Sequence, residues 1–218
     1  YHLGGGSDAD RKAGARWLGP MFGHPDPGRL IVCPGAQAAI AASILALTEP
    51  GDVVLAEPIT YPGLRTAAAQ FGRRIVAVEA DHHGMAPGMF EAACRRHKPR
   101  LVYLNPTLQN PTAITMPESR RKELASIAQR CDVRIVEDDP YWLLADAAPP
   151  PIAAFAPDQV LYISTLSKCL TPGLRVAFVL IRDPQVRERF LAALRSFALM
   201  AAPLTAALAT QWILDGSA

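Results

Sequence analysis

Val160-Leu161-Tyr162-Ile163-Ser164-Thr165-Leu166-Ser167-Lys168-Cys169-Leu170-Thr171-Pro172-Gly173-Leu174-Arg175 begins as an apolar, β-branched run and passes without a break into hydroxyls, a lysine, Pro-Gly and an arginine. A near-continuous apolar run of this length suits a strand covered on both faces. The polar residues then lie just past the strand's carboxyl end. Runs of the same kind recur at 30–32, 53–55, 75–78, 101–104, 133–136 and 176–180. Helical stretches separate them, at 36–47, 61–71, 87–96, 117–130 and 184–199, with one more at 203–214. Strands alternating with helices predict an α/β fold, a three-layer sandwich around a mainly parallel sheet of about seven strands. In such sheets ligands bind beyond the carboxyl ends of the strands, so those ends are where chemistry is sought.

Composition narrows the class. The chain has 218 residues, half of them hydrophobic and 19% charged, which excludes disorder and coiled coil. The net charge of +2 is spread along the chain, with no long basic run to form a nucleic-acid face. No apolar stretch of about 18 residues is free of charge and proline, so no membrane span is expected. The chain opens on Tyr1 without an initiator Met or a signal peptide, and the natural protein is expected to extend further. Cysteines 33, 94, 131 and 169 are far apart and show no C-x-x-C pair, which points to reduced thiols, a cytoplasmic location and no metal site. His82-His83 reads as two solvated histidines in a turn before Gly84. Gly4-Gly5-Gly6-Ser7-Asp8-Ala9 matches G-x-G-x-x-G/A in form, but no strand precedes it, so a dinucleotide site fails its context test. Arg95-Arg96-His97-Lys98 and Arg120-Arg121-Lys122 read as solvated helix ends, with Glu118 spaced to pair with Arg121 or Lys122. Trp17, Trp142 and Trp212 read as core or interface residues.

Four strand ends carry unusual residues. Lys168, one of only four lysines, is fenced by hydroxyls. In a polar pocket at the sheet edge its desolvation would make it a nucleophilic amine able to form a Schiff base. Thr165, Ser167 and Arg175 would together hold a phosphate. A solvated loop lysine beside an unrelated arginine is the equal alternative when the stretch is read alone. Glu137-Asp138-Asp139-Pro140-Tyr141 places acids where only a nearby cation makes them comfortable. A pyridinium nitrogen would serve, and so would a helix needing a capping acid. Asn105-Pro106-Thr107-Leu108-Gln109-Asn110-Pro111-Thr112-Ala113 is a rigid turn, or a loop presenting Asn110 to a ligand oxygen. Cys33-Pro34-Gly35-Ala36-Gln37 opens a helix on a glycine, where free N–H groups favour an anion.

Taken in order, these stretches resemble the large domain of fold-type-I pyridoxal-phosphate aminotransferases of class I/II. Within that class the chain is similar to the α-aminoadipate/kynurenine aminotransferase branch and to the aminotransferase domains of MocR-type transcription regulators. Earlier elements agree in order and spacing: Tyr1 with Gly6 and Arg11, then Gly35-Ala36-Gln37, then Glu57-Pro58 before Tyr61-Pro62-Gly63. The resemblance implies pyridoxal 5′-phosphate as cofactor, held by Lys168 as a Schiff base, with Lys168 also moving protons. It implies that Asp138 pairs with the ring nitrogen, that Asn110 and Tyr141 bond the ring oxygen, and that Tyr61 stacks on the ring. Gly35, Ala36, Gln37, Thr165, Ser167 and Arg175 would hold the phosphate, and Tyr1 would reach the phosphate of a partner subunit in a homodimer. Two positions depart from the pattern: Ala113 stands for a usual glycine and Ala36 for a common serine.

The activity implied is transfer of an amino group between an amino acid and a 2-oxo acid. The alternative is the effector domain of a MocR/GntR-type regulator with little or no turnover, in which DNA would be met only through a winged-helix module upstream of Tyr1. Residues 1–200 are expected to form the cofactor-binding large domain, and 201–218 to start the connection to a small C-terminal domain absent from this chain. That domain would carry the arginine for the substrate carboxylate, so the chain by itself is expected to be incomplete for activity.

Overall fold

A computed structural model describes residues 5–218. All the expected strands form: β1 (Leu30–Cys33), β2 (Val53–Ala56), β3 (Arg74–Ala77), β6 (Leu101–Leu104), β7 (Arg134–Asp138), β8 (Val160–Thr165) and β9 (Ala177–Ile181), with a two-stranded hairpin of β4 (Ala80–Asp81) and β5 (Gly84–Met85) beside them. The seven-stranded sheet has the order β1-β9-β8-β7-β6-β2-β3. It is parallel except at β9, which runs antiparallel to both of its neighbours. His82 and His83 sit exposed in the hairpin turn, as read.

Every residue of β2, β6, β8 and β9 is buried, whereas the edge strand β3 is partly exposed. Side chains alternate between two apolar layers. One holds Leu55, Val102, Leu104, Ile135, Tyr162 and Phe178. The other holds Val54, Leu101, Tyr103, Val136, Ile163 and Val179. Helices α1 (Asp8–Trp17), α5 (Pro87–His97), α6 (Glu118–Cys131) and α8 (Pro203–Asp215) contribute to the first layer. Helices α3 (Ala36–Leu47), α4 (Pro62–Gln70) and α7 (Pro184–Arg195) contribute to the second. The three-layer α/β sandwich expected of the alternating runs is therefore the fold.

Helix α1 and the short α2 (Gly19–Phe22) were not expected. A signal for α1 was present: Ser7 and Asp10 form a capping box, each side chain accepting from the other's backbone N–H. Gly6 packs against β1, where an added Cβ would lie 2.5 Å from Val32 Cγ2, so the glycine run answers a close approach. Helix α7 ends at Arg195 and not at 199. Its apolar stripe of Val186, Phe190, Leu191 and Leu194 stops there, and Phe197 and Leu199 are exposed. Arg121 corrects a second expectation. It is fully buried, and only Lys122 of the expected pairs meets Glu118, at 2.6 Å. The guanidinium of Arg121 is received by the backbone carbonyls of Met116 and Pro106.

Candidate active site

Because β1, β2, β6, β7 and β8 are mutually parallel, their carboxyl ends share one edge. A cavity of about 180 Å³ opens there, and its walls come from four of these strand ends.

The end of β7 decides its electrostatics. Successive side chains of a strand face opposite layers, so the acids of Glu137-Asp138-Asp139 separate. Glu137 accepts the N–H groups of Ile152 and Ala153, both at 2.8 Å. Asp139 accepts from Thr107 at 3.2 Å and Tyr162 at 3.3 Å. Only Asp138 lines the cavity. Its Oδ2 accepts the Tyr103 hydroxyl at 2.6 Å, while its buried Oδ1 has no partner. Burial pushes the Asp138 carboxyl up to about 6 against the downward pull of Tyr103. Burial, helped by the Glu137 charge, pushes Asp139 to about 8. An acceptor oxygen with nothing donating to it, in a cavity wall, is a place for a cationic donor.

The end of β6 braces that acid. Asn105 donates to the Asp138 carbonyl at 2.6 Å and accepts the Asn110 backbone N–H at 2.7 Å. Asn110 itself lines the cavity, as do Tyr61 at the start of α4 and Tyr141 just past β7.

The opposite side is built for an anion. Gly35 precedes α3 at φ 89° and ψ 165°, a region open to glycine alone, and leaves the first turn without a side-chain cap. The Arg175 guanidinium lies over it: a Cβ at Gly35 would sit 2.6 Å from Arg175 Nη2. Ala36 and Gln37 follow on the cavity wall. At the end of β8 the Thr165 and Ser167 hydroxyls are 3.0 Å apart, and both line the cavity with Lys168. A helix N-terminus, two hydroxyls and an arginine are phosphate donors converging from separate elements.

The structure thus brings Ala36, Gln37, Tyr61, Asn110, Asp138, Tyr141, Thr165, Ser167, Lys168 and Arg175 to one cavity, with Gly35 directly beneath Arg175. Tyr1 lies outside the described residues. One expectation is corrected: Lys168 is exposed and not buried, because it sits past the strand on the open rim. Besides Pro140 and Pro172, two hydrogen-bonding residues of the lining, Tyr103 and Asn105, were missed. Tyr103 reads as one more apolar strand residue, and only the β6–β7 pairing puts its hydroxyl on Asp138. Asn105 could have been found as the first polar residue past β6. A larger cavity of about 330 Å³ adjoins at Asn105, but Glu57 and Asp81 are its only titratable lining residues and no lysine reaches it. Among the described residues no group of three or more His, Cys, Asp and Glu is placed to hold a metal, and no helix is long and apolar enough to cross a membrane.

The aminotransferase class I and II family profile matches residues 4–216. The chain belongs to that family. Over 181 residues it is 36% identical to the uncharacterized HTH-type transcriptional regulator YdeF of Bacillus subtilis, a match covering 83% of the chain and 39% of YdeF. It is 31% identical to aromatic-amino-acid aminotransferase 1 of Thermococcus litoralis, over 82% of the chain and 45% of that protein. Among solved structures, LysN, the α-aminoadipate aminotransferase of Thermus thermophilus complexed with N-(5′-phosphopyridoxyl)-L-leucine, superposes with a TM-score of 0.90 at 28% identity, over 98% of the chain and 55% of LysN. The chain therefore spans about half the length, or less, of these relatives.

Proposed function

We propose that this chain is the cofactor-binding part of a pyridoxal-phosphate aminotransferase that moves an amino group between an amino acid and a 2-oxo acid. The observation that carries the reading is the unpaired Oδ1 of buried Asp138, in the wall of the cavity that Lys168, Ser167 and Arg175 also line. A protonated ring nitrogen answers that oxygen, and a phosphate answers the donors opposite. The residues fit the group.

Each residue then has a task of its own. Asp138 keeps the proton on the ring nitrogen, and Tyr103 and Asn105 hold the carboxyl in place through the bonds already described. Asn110 and Tyr141 would donate to the ring oxygen, and Tyr61 would pack against the ring. The α3 N-terminus with Gly35, Ala36 and Gln37 takes the phosphate, together with Thr165, Ser167 and Arg175. Lys168 would hold the cofactor through its amine, with loss of water from the aldehyde, and would carry a proton to and from the substrate α-carbon. When bound, pyridoxal phosphate supplies the electron sink that makes that proton removable.

The working form is a homodimer in this reading. Phe197 and Leu199 before α8 and Leu204 and Leu208 on it are exposed, Leu204 to 82%, and Tyr1 is assigned to the partner's phosphate. Residues 1–200 form the cofactor-binding unit and 201–218 begin the connection to a further, smaller domain. That connection is anchored where Thr210 donates to Asp10 at 2.7 Å. Four unpaired cysteines support a reducing, cytoplasmic setting. A second reading has its own observation: YdeF, a similar and longer protein, is named as an HTH-type regulator. The same cavity would then serve an effector domain, and a winged-helix segment encoded upstream of Tyr1 would favour it.

The test is direct. Pyridoxal phosphate added to the purified protein should give a visible absorbance band, and borohydride should fix it to the peptide carrying Lys168. Lys168→Ala should lose both. Fixation on Lys12, Lys98 or Lys122 would overturn the site.

A further inference from the structure

Arg121 is the largest fully buried side chain among the described residues. Taking a guanidinium out of water is costly unless its donors are met, and here carbonyls meet them. Nε donates to Met116 O at 2.9 Å, and Nη2 to Pro106 O at 3.0 Å and Thr107 Oγ1 at 3.1 Å. Nη1 reaches Pro149 O and Pro150 O, both at 3.4 Å. Glu137 on β7, Asp139 just past its end and Tyr162 on β8 are the titratable groups whose charge Arg121 feels.

Those acceptors have a pattern. Pro106 and Met116 are the two ends of the loop that carries Asn110, and Met116 N–H also donates to Pro106 O at 2.8 Å. Arg121 thus clamps the loop's neck from within. Pro106 adjoins Asn105, whose side chain ties the Asp138 carbonyl to the Asn110 N–H. Thr107, which accepts from Arg121, donates on to Asp139. One planar fork of five donors meets acceptors in several directions at once, and a lysine ammonium on a flexible stem does not reproduce that.

We infer that Arg121 is a positioning residue for the cofactor cavity, its buried guanidinium closing the neck of the 105–116 loop and so fixing where Asn105 and Asn110 stand. The inference rests on the pyridoxal-phosphate reading above. A donor to an ionised ring oxygen favours the ionised form, so a well-placed Asn110 holds low the pH at which the bound cofactor's visible band changes.

The experiment is a pH titration of that band in the full-length, cofactor-loaded protein. Arg121→Lys keeps the charge and loses the fork. It should raise the midpoint by about one pH unit, a tenfold change in the proton equilibrium, as expected when a charge-assisted hydrogen bond is lost. In an Asn110→Ala background the same change should move the midpoint no further. Should Arg121→Lys fail to fold, Thr107→Val removes one acceptor of the clamp and should shift the midpoint the same way by less. A wild-type midpoint in Arg121→Lys, with a shift only in Arg121→Met, would assign the effect to charge and overturn the positioning role. Wild-type midpoints in whichever of Arg121→Lys and Thr107→Val fold would overturn it as well. A wild-type protein that shows no band sinks the cofactor reading itself, which separates the two failures.

Discussion

Asp138→Asn keeps the side chain's shape and its acceptor for the Tyr103 hydroxyl, but removes the ionisable group. The wild-type carboxyl is raised by burial from its ordinary 3.8 to about 6 in the folded chain. The folded state therefore binds the proton more tightly than the unfolded state. Stability linked to this group is fully present below about pH 4 and is lost as pH rises through 6. Between pH 4.5 and pH 8 the loss amounts to about 2 kcal/mol. An amide does not titrate, so Asp138→Asn should gain about 2 kcal/mol relative to wild type across that interval. Urea unfolding of the cofactor-free protein at the two pH values measures it. With pyridoxal phosphate bound the sign should reverse, because the carboxylate is then paired with the ring proton. Single-turnover amino transfer in the full-length protein should slow by two orders of magnitude or more, about 3 kcal/mol of barrier. The same effect of Asp138→Asn on stability at both pH values, with an unchanged rate per bound cofactor, would refute the reasoning and leave Asp138 a structural acid.

Gly35→Ala forces a Cβ into a backbone conformation reserved for glycine and against the Arg175 guanidinium. It should cost about 1–3 kcal/mol in thermal unfolding and weaken pyridoxal-phosphate affinity in a fluorescence titration; wild-type affinity would argue against Arg175 as a phosphate donor. Ala113 adopts φ 58°, in the left-handed region. Ala113→Gly relieves about 1–2 kcal/mol of backbone cost and adds somewhat less unfolded-state entropy, so a net gain of about 0.5–1 kcal/mol is expected in chemical denaturation. A loss there would mean the loop prefers alanine for packing.

Much of the molecule was legible in the one-dimensional pattern. Apolar runs of strand length, spaced by amphipathic or alanine-rich helices, determined the α/β class, because only a sheet covered on both faces can bury strands such as β6 and β8. Residues that break a run at its carboxyl end, such as Asp138 and Lys168, marked the site, because parallel strands bring those ends to one edge. Tertiary structure alone decided the rest. The acids at 137–139 look alike in sequence, and only strand alternation together with the β6–β7 pairing gives Asp138 the cavity and Tyr103 while turning Asp139 toward Tyr162. Arg121 lies in a basic triplet that reads as surface, yet its acceptors come from Pro106, Met116 and Pro149, distant in sequence or outside the helix. Lys168 reads as a desolvated amine, yet its exposure depends on what stands across the rim from it. A side chain's neighbours across the fold set its charge and its burial, and local pattern carries no record of them.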